Sequence, residues 1–186
     1  MQSPVQKQAS NLIWTPERIA AAAAEIERWK GTPHRDRMAK PGVGIDCIGY
    51  VCEITRAAGL IPAFTMPFYS PRWGIGRAFN VMERVLLKCF NVERITSPAE
   101  WRPGDLLIFK VGHQSNHIAL LWQEGERFGL WHSRVRAGVE FCDMSAEIRK
   151  EAQAALRFTA PGLLLDPATL TPDDFKAWAA ILGHHT

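Results

Sequence analysis

The sequence has no long apolar run, no CxxC pair, no internal repeat and no low-complexity tract, and each absence removes a class of function. A membrane-spanning helix needs about 20 consecutive apolar residues, so no span is expected. The opening stretch, Met1 to Ser10, is polar and lacks the apolar core of a secretory leader, so no signal peptide is expected either. Cysteine is scarce. Cys47, Cys52, Cys89 and Cys142 follow no disulfide-framework or zinc-finger spacing, which is the usage of a reduced compartment. Cys47 and Cys52 lie five apart on one helical pattern and point in different directions, so neither a bridge nor a shared metal is expected of them. Strong charge of one sign is also missing. The net charge is +3, with lysines and arginines scattered rather than gathered into a stripe, so no nucleic-acid partner is expected.

What remains is the makeup of a globular domain: 186 residues, 47% hydrophobic and 22% charged, enough to bury a core. Helical periodicity dominates the first half and strand periodicity the second, which predicts an α+β fold with N-terminal helices packed on a small antiparallel β-sheet. A flexible tail is expected over 1–14, the main domain over 15–160 and an extension over 161–186.

Thr15 is placed to cap a helix with Pro16 at its first position and Ile19, Ala22, Ala23, Ile26 and Trp29 along one apolar stripe. Gly31-Thr-Pro33 ends it, and the basic loop from His34 to Lys40 follows. A second amphipathic helix is read over 78–89, with Cys89 in the core, after a proline- and aromatic-rich crossing over 61–76. Arg102-Pro-Gly-Asp105 is a turn, Leu106 to Phe109 a buried strand, and Val111 to Asn116 a polar loop containing His113. His117 to Trp122 and Arg127 to His132 form a hairpin. Strands are also read over 138–142 and 154–158, with Ser145 capping a short helix between them. Thr171-Pro-Asp-Asp174 opens a last helix with Phe175, Trp178, Ile181 and Leu182 on one face.

The chain is organised around Gly42 to Gly59. Asp46 is a good N-cap, which puts Cys47 at the first helical position, and Gly59 sits where a glycine ends helices. A thiol there faces unpaired backbone N–H groups and the positive end of the helix dipole, and both favour the nucleophilic thiolate. Taken alone, Cys47 would read as a buried small apolar residue. Gly42, Gly44 and Gly49 argue against that, because a plain core helix needs none of them. A thiol nucleophile requires a base and a group that orients it. His117 opens a strand at the sheet rim, and His132 lies on the neighbouring antiparallel strand, where a cross-strand approach is available. His113 sits in a loop and is the poorer base.

Three segments carry a family resemblance: Asp46-Cys-Ile-Gly-Tyr-Val51, Arg102-Pro-Gly-Asp-Leu-Leu-Ile-Phe109, and His117-Ile-Ala-Leu120 followed by Trp131-His132. In order and spacing they resemble the NlpC/P60 cysteine peptidases, nearest the phage-associated cell-wall branch, over Trp29 to Phe158. The resemblance implies a papain-like α+β domain without cofactor or metal. It implies cleavage of a peptidoglycan stem peptide, usually between D-glutamate and the diamino acid. Cys47 would be the nucleophile, His117 the general base and His132 the residue orienting it. His34, Asp46 and Ile48 would border the substrate and oxyanion. Ile48 stands where many members have serine, and His34 where a tyrosine commonly offers its hydroxyl. Phage tail proteins are the partners this implies, with delivery to the wall by a phage route. The alternatives are a non-catalytic tail or assembly component that keeps the fold, and a thiol acyltransferase with the same three residues.

Overall fold

The first helix forms where its caps predict. In the computed structural model, which describes residues 13–64, 81–111, 115–171 and 174, α1 spans Pro16–Trp29, and the Thr15 hydroxyl accepts the Arg18 amide. Ala22, Ile26 and Trp29 are buried, but Ile19 is 44% exposed, so the apolar stripe begins one turn later than the periodicity predicts. Ile19 lies in the first turn of α1, beyond the part of the helix that the core covers.

A small two-stranded ribbon, β1 (Ala39–Lys40) and β2 (Gly44–Ile45), precedes α2 (Cys47–Ala57). Asp46 caps α2 with one carboxylate oxygen on the Gly49 amide (2.8 Å) and the other on the Arg37 amide (2.7 Å), fixing the incoming loop to the helix start. At the far end Gly59 takes φ +67°, its amide donates to Arg56 and the Leu60 amide to Thr55. That is the paired closure of a Schellman motif, as the glycine predicts. Tyr50, Val51, Cys52, Ile54 and Thr55 form the buried face of α2.

Helix α3 (Val81–Cys89) runs directly into β3 (Phe90–Ile95), and Cys89 is fully buried. The strands β4 (Leu106–Val111), β5 (Ser115–Glu124), β6 (Arg127–Arg134) and β7 (Gly138–Asp143) follow as a meander. Ser145 caps α4 (Ala146–Glu151), and β8 (Ala152–Leu163) returns to the sheet one strand in from its edge. The strand order is β3-β8-β4-β5-β6-β7, with every pairing antiparallel. The polar loop expected before His117 is shorter than predicted, because β5 already begins at Ser115; His113 lies outside the described residues. The last strand is longer than predicted and sits between β3 and β4.

The sheet separates two apolar layers. Ile118, Leu120 and Trp122 join α1 and α2 in the larger core, while Ala119 and Leu121 join Leu107, Phe109, Leu130 and Ala155 on the other side. That is the alternation expected of β5. Of the C-terminal helix, Thr171 and Asp174 are described: the Thr171 amide donates to the Asp174 carboxylate and the Asp174 amide to the Thr171 hydroxyl, a reciprocal cap. The tail over 1–12, most of the crossing over 61–76 and the apolar face from Phe175 onward lie outside the described residues. No described helix is long and apolar enough to cross a membrane.

Candidate functional site

Cys47 is the first residue of α2, partly buried, with its sulfur against the backbone amide of Ile118, the residue after His117. The backbones of Cys47 and Ile48 also favour the ionised sulfur. Burial opposes them and wins, pushing the Cys47 thiol up to about 11, and the adjacent Asp46 carboxylate adds to the rise. The expected resting thiolate is therefore corrected to a neutral thiol: the amides and dipole are present, but desolvation outweighs them.

His117 and His132 meet across β5 and β6, with His117 Nε2 2.9 Å from His132 Nδ1 and the rings edge to face. Burial holds both imidazoles neutral, taking His117 down to about 3, with the neighbouring His132 as the next cause, and His132 down to about 4. His117 shares its face of the sheet with Phe109, its partner on β4. Pairing through Nε2 leaves His117 Nδ1 as its remaining nitrogen. No hydrogen bond joins Cys47 to His117; the thiol reaches the sheet at the peptide next to the imidazole.

His34, at the start of its loop and bridged to Ile45 of β2, lies beside Ser133 of β6. Its Nδ1 is 3.0 Å from Ser133 Oγ and 3.2 Å from the Ser133 carbonyl, and its Nε2 is 3.4 Å from Asp36. Ser133 Oγ donates to the Ile45 carbonyl (2.7 Å), so Oγ accepts from His34 Nδ1–H. Asp46 is buried, with its carboxylate directed at backbone amides, and Ile48 packs against the main core.

No family model and no curated protein matches this chain. Solved structures do. An NLP/P60 family protein from Staphylococcus aureus subsp. aureus Mu50, described as similar to a lipoprotein, aligns with a TM-score of 0.50 at 20% identity over 80% of this chain. The chain has the NlpC/P60 fold. An NlpC/P60 protein from Bacillus cereus ATCC 10987 aligns at 0.47 and 22% identity over 81% of the chain. The NlpC/P60 domain of the peptidoglycan hydrolase SagA aligns at 0.45 and 18% over 75% of this chain and 97% of its own. This chain spans 43% of the length of each of the first two.

Within this NlpC/P60 fold the sequence reading missed two residues. Cys142 Sγ is 3.4 Å from His132 Nε2, and Glu140 Oε1 is 3.7 Å from the same nitrogen. Cys142 reads from sequence as a strand-end residue, yet the pairing His132↔Glu140 and Leu130↔Cys142 places all three on one face. The signal was available in the hairpin: residues paired around the turn before Gly138 have numbers that sum to a constant.

Proposed function

We propose that this protein is a metal-independent thiol hydrolase that cuts a peptide bond of peptidoglycan stem peptides, with Cys47 as nucleophile, His117 as base and His132 orienting it. One observation carries this reading: a helix-start thiol meets the sheet at the peptide beside a histidine that a second histidine holds at 2.9 Å. The NlpC/P60 fold adds to it, and SagA, whose domain aligns with this chain, is named a peptidoglycan hydrolase.

The resting state is a neutral thiol beside a neutral imidazole, so the chemistry is general-base attack. His117 Nδ1 takes the Cys47 proton as the sulfur adds to the amide carbonyl. The backbone N–H of Cys47, which has no intrahelical partner at the helix start, stabilises the oxyanion. His117 returns the proton to the leaving amine, leaving a thioester. Water then adds to the thioester as His117 takes its proton, and the carboxylic acid and the free thiol are released. The bond we assign is that between D-glutamate and the diamino acid. His34 donates from Nδ1 to Ser133, and its Nε2 faces the Asp36 carboxylate at 3.4 Å, so both ring nitrogens are engaged by the protein. It therefore borders the site and positions Ser133 and β2, and the oxyanion is left to the backbone.

A second reading is favoured by one distance, the 3.4 Å from Cys142 Sγ to His132 Nε2, which would make Cys142 the nucleophile. Cys142 lies within a strand and has no helix-start amides around it. Muropeptides incubated with each variant and resolved by mass spectrometry decide between them. Cys47→Ala is expected to abolish cleavage, by about 10⁴-fold or more, the scale of a lost nucleophile in such a unit. Cys142→Ala is expected to retain cleavage. The opposite pattern would reassign the nucleophile, and no cleavage by the parent protein would favour a structural role.

A further inference from the structure

Behind the histidine pair, β6 and β7 assemble a set of ligands of which the hydrolase reading uses only His132. His132 and Glu140 are direct cross-strand partners, and Cys142 stands two residues on from Glu140, on the same face. His132 Nε2 is 3.4 Å from Cys142 Sγ and 3.7 Å from Glu140 Oε1, and Sγ to Oε1 is 3.9 Å. These three atoms all lie within 4.8 Å of one another. A tetrahedral zinc ion bound at about 2.0–2.3 Å sets its ligand atoms roughly 3.3–3.6 Å apart, so this triangle needs to close by only a few tenths of an ångström. His132 is 7% exposed, and the other two are half-buried, which leaves an approach from solvent.

We propose that His132, Glu140 and Cys142 bind a thiophilic divalent cation of the zinc class, and that its binding switches the hydrolase site off. The switch rests on the reading of His117 as the base for Cys47; the metal site does not. On binding, Cys142 gives its proton to solvent, and thiolate and carboxylate together neutralise the cation. Arg134 is the competitor: its Nε and Nη2 donate to Glu140 Oε1 at 2.8 and 2.5 Å. Its side chain is more than half exposed, so it can swing into water, or the cation can take Oε2.

The switch follows from counting protons on the two rings. Without metal, the Glu140 carboxylate faces His132 Nε2 and favours a proton there. His132 Nδ1 then accepts from His117 Nε2–H, and His117 Nδ1 keeps the lone pair that takes the thiol proton. A cation on His132 Nε2 forces the proton of that neutral ring to Nδ1. His132 Nδ1–H must then donate to His117 Nε2 across the 2.9 Å contact, which moves the proton of His117 to Nδ1. A neutral His117 in that form has no lone pair left for Cys47.

Cobalt(II), a spectroscopic stand-in for zinc, tests the site on the 186-residue chain after chelator treatment. A sulfur-to-cobalt absorption band is expected in the parent and in Cys47→Ala, absent in Cys142→Ala and Cys142→Ser, and shifted to at least about tenfold higher cobalt in Glu140→Gln. Thermal melting shows which variants are folded, and the serine variant carries the test if the alanine one melts early. Zinc is expected to stop muropeptide cleavage by the parent, with each Cys142 variant far less affected relative to its own zinc-free rate. No band in the parent, or a band that survives in Cys142→Ser and is lost in Cys47→Ala, overturns the site. A band that follows Cys142 while zinc leaves cleavage unchanged overturns the switch. A band that follows Cys142 in a protein with no cleavage at all sinks the hydrolase reading and leaves the metal site standing.

Discussion

At Cys47 the helix start and the interior act on the same sulfur in opposite directions. The first-turn amides and the dipole favour the thiolate, and both are legible in the sequence because they depend on Asp46, Cys47 and Gly49 alone. The desolvation that outweighs them depends on how β5 packs over the helix start, and no local pattern records that. The consequence is a pH dependence of definite sign. A thiol at about 11 leaves a small ionised fraction at pH 7 that grows about tenfold per pH unit, so iodoacetamide labelling of Cys47 should accelerate steadily from pH 7 to pH 10. Peptide mapping at each pH measures this, and a rate that is flat above pH 7 would mean that a thiolate already exists at rest. Linkage runs the same way. An unfolded thiol ionises near about 8.5, so the unfolded chain loses this proton first, and the stability tied to Cys47 declines as pH rises from there towards 11. Cys89, also pushed up to about 11 by burial but with no exposed surface, should label only once the protein opens. Cys142 shows the other limit of residue-level reading: its type and position were plain, but its contact with His132 exists only in a specific hairpin register.

The elements were legible where their ends carry chemistry. Thr15, Asp46, Gly59 and Ser145 each end or begin a helix as their side chains or φ angles require. Asp46 does more than cap, because its second oxygen holds the Arg37 amide and with it the loop that brings His34 to Ser133. Asp46→Ala should therefore cost about 2 kcal/mol, the upper part of the N-cap range, with Asp46→Asn recovering much of it. Urea unfolding measures the cost; a change within about 0.5 kcal/mol would mean that water replaces the carboxylate at both amides. Strand β3 was harder to read. Its pattern, FNVERI, buries only Phe90 and Ile95 and leaves Asn91 and Val92 half-buried, as an edge strand can, so period-two alternation is weak there.

For the whole molecule, an α+β order of helices first and antiparallel strands second was readable, but the place of β8 was not. A strand that closes a meander would by proximity pair with β7, yet β8 crosses back and inserts between β3 and β4. What fixes it there is nonlocal: its alanines and Leu156 fit the two apolar layers, and Arg157 reaches the turn before β4. Arg157 Nε and Nη2 each lie 2.8 Å from an oxygen of Asp105, which is 1% exposed and also accepts the Arg102 amide, and Nη2 donates to the Glu100 carbonyl at 2.7 Å. The sequence marks Asp105 only as part of a turn, because its partner is 52 residues away. Removing Arg157 leaves a buried carboxylate without its cation, so Arg157→Met should cost about 3 kcal/mol or more. Asp105→Asn in the same chain removes the unpaired charge, and the double variant should be less destabilised than the sum of the two single changes. Equilibrium unfolding of the four proteins gives the coupling directly. Additive losses would mean that the pair does not act as a unit, and that the fit of β8 between β3 and β4 holds this side of the sheet without it.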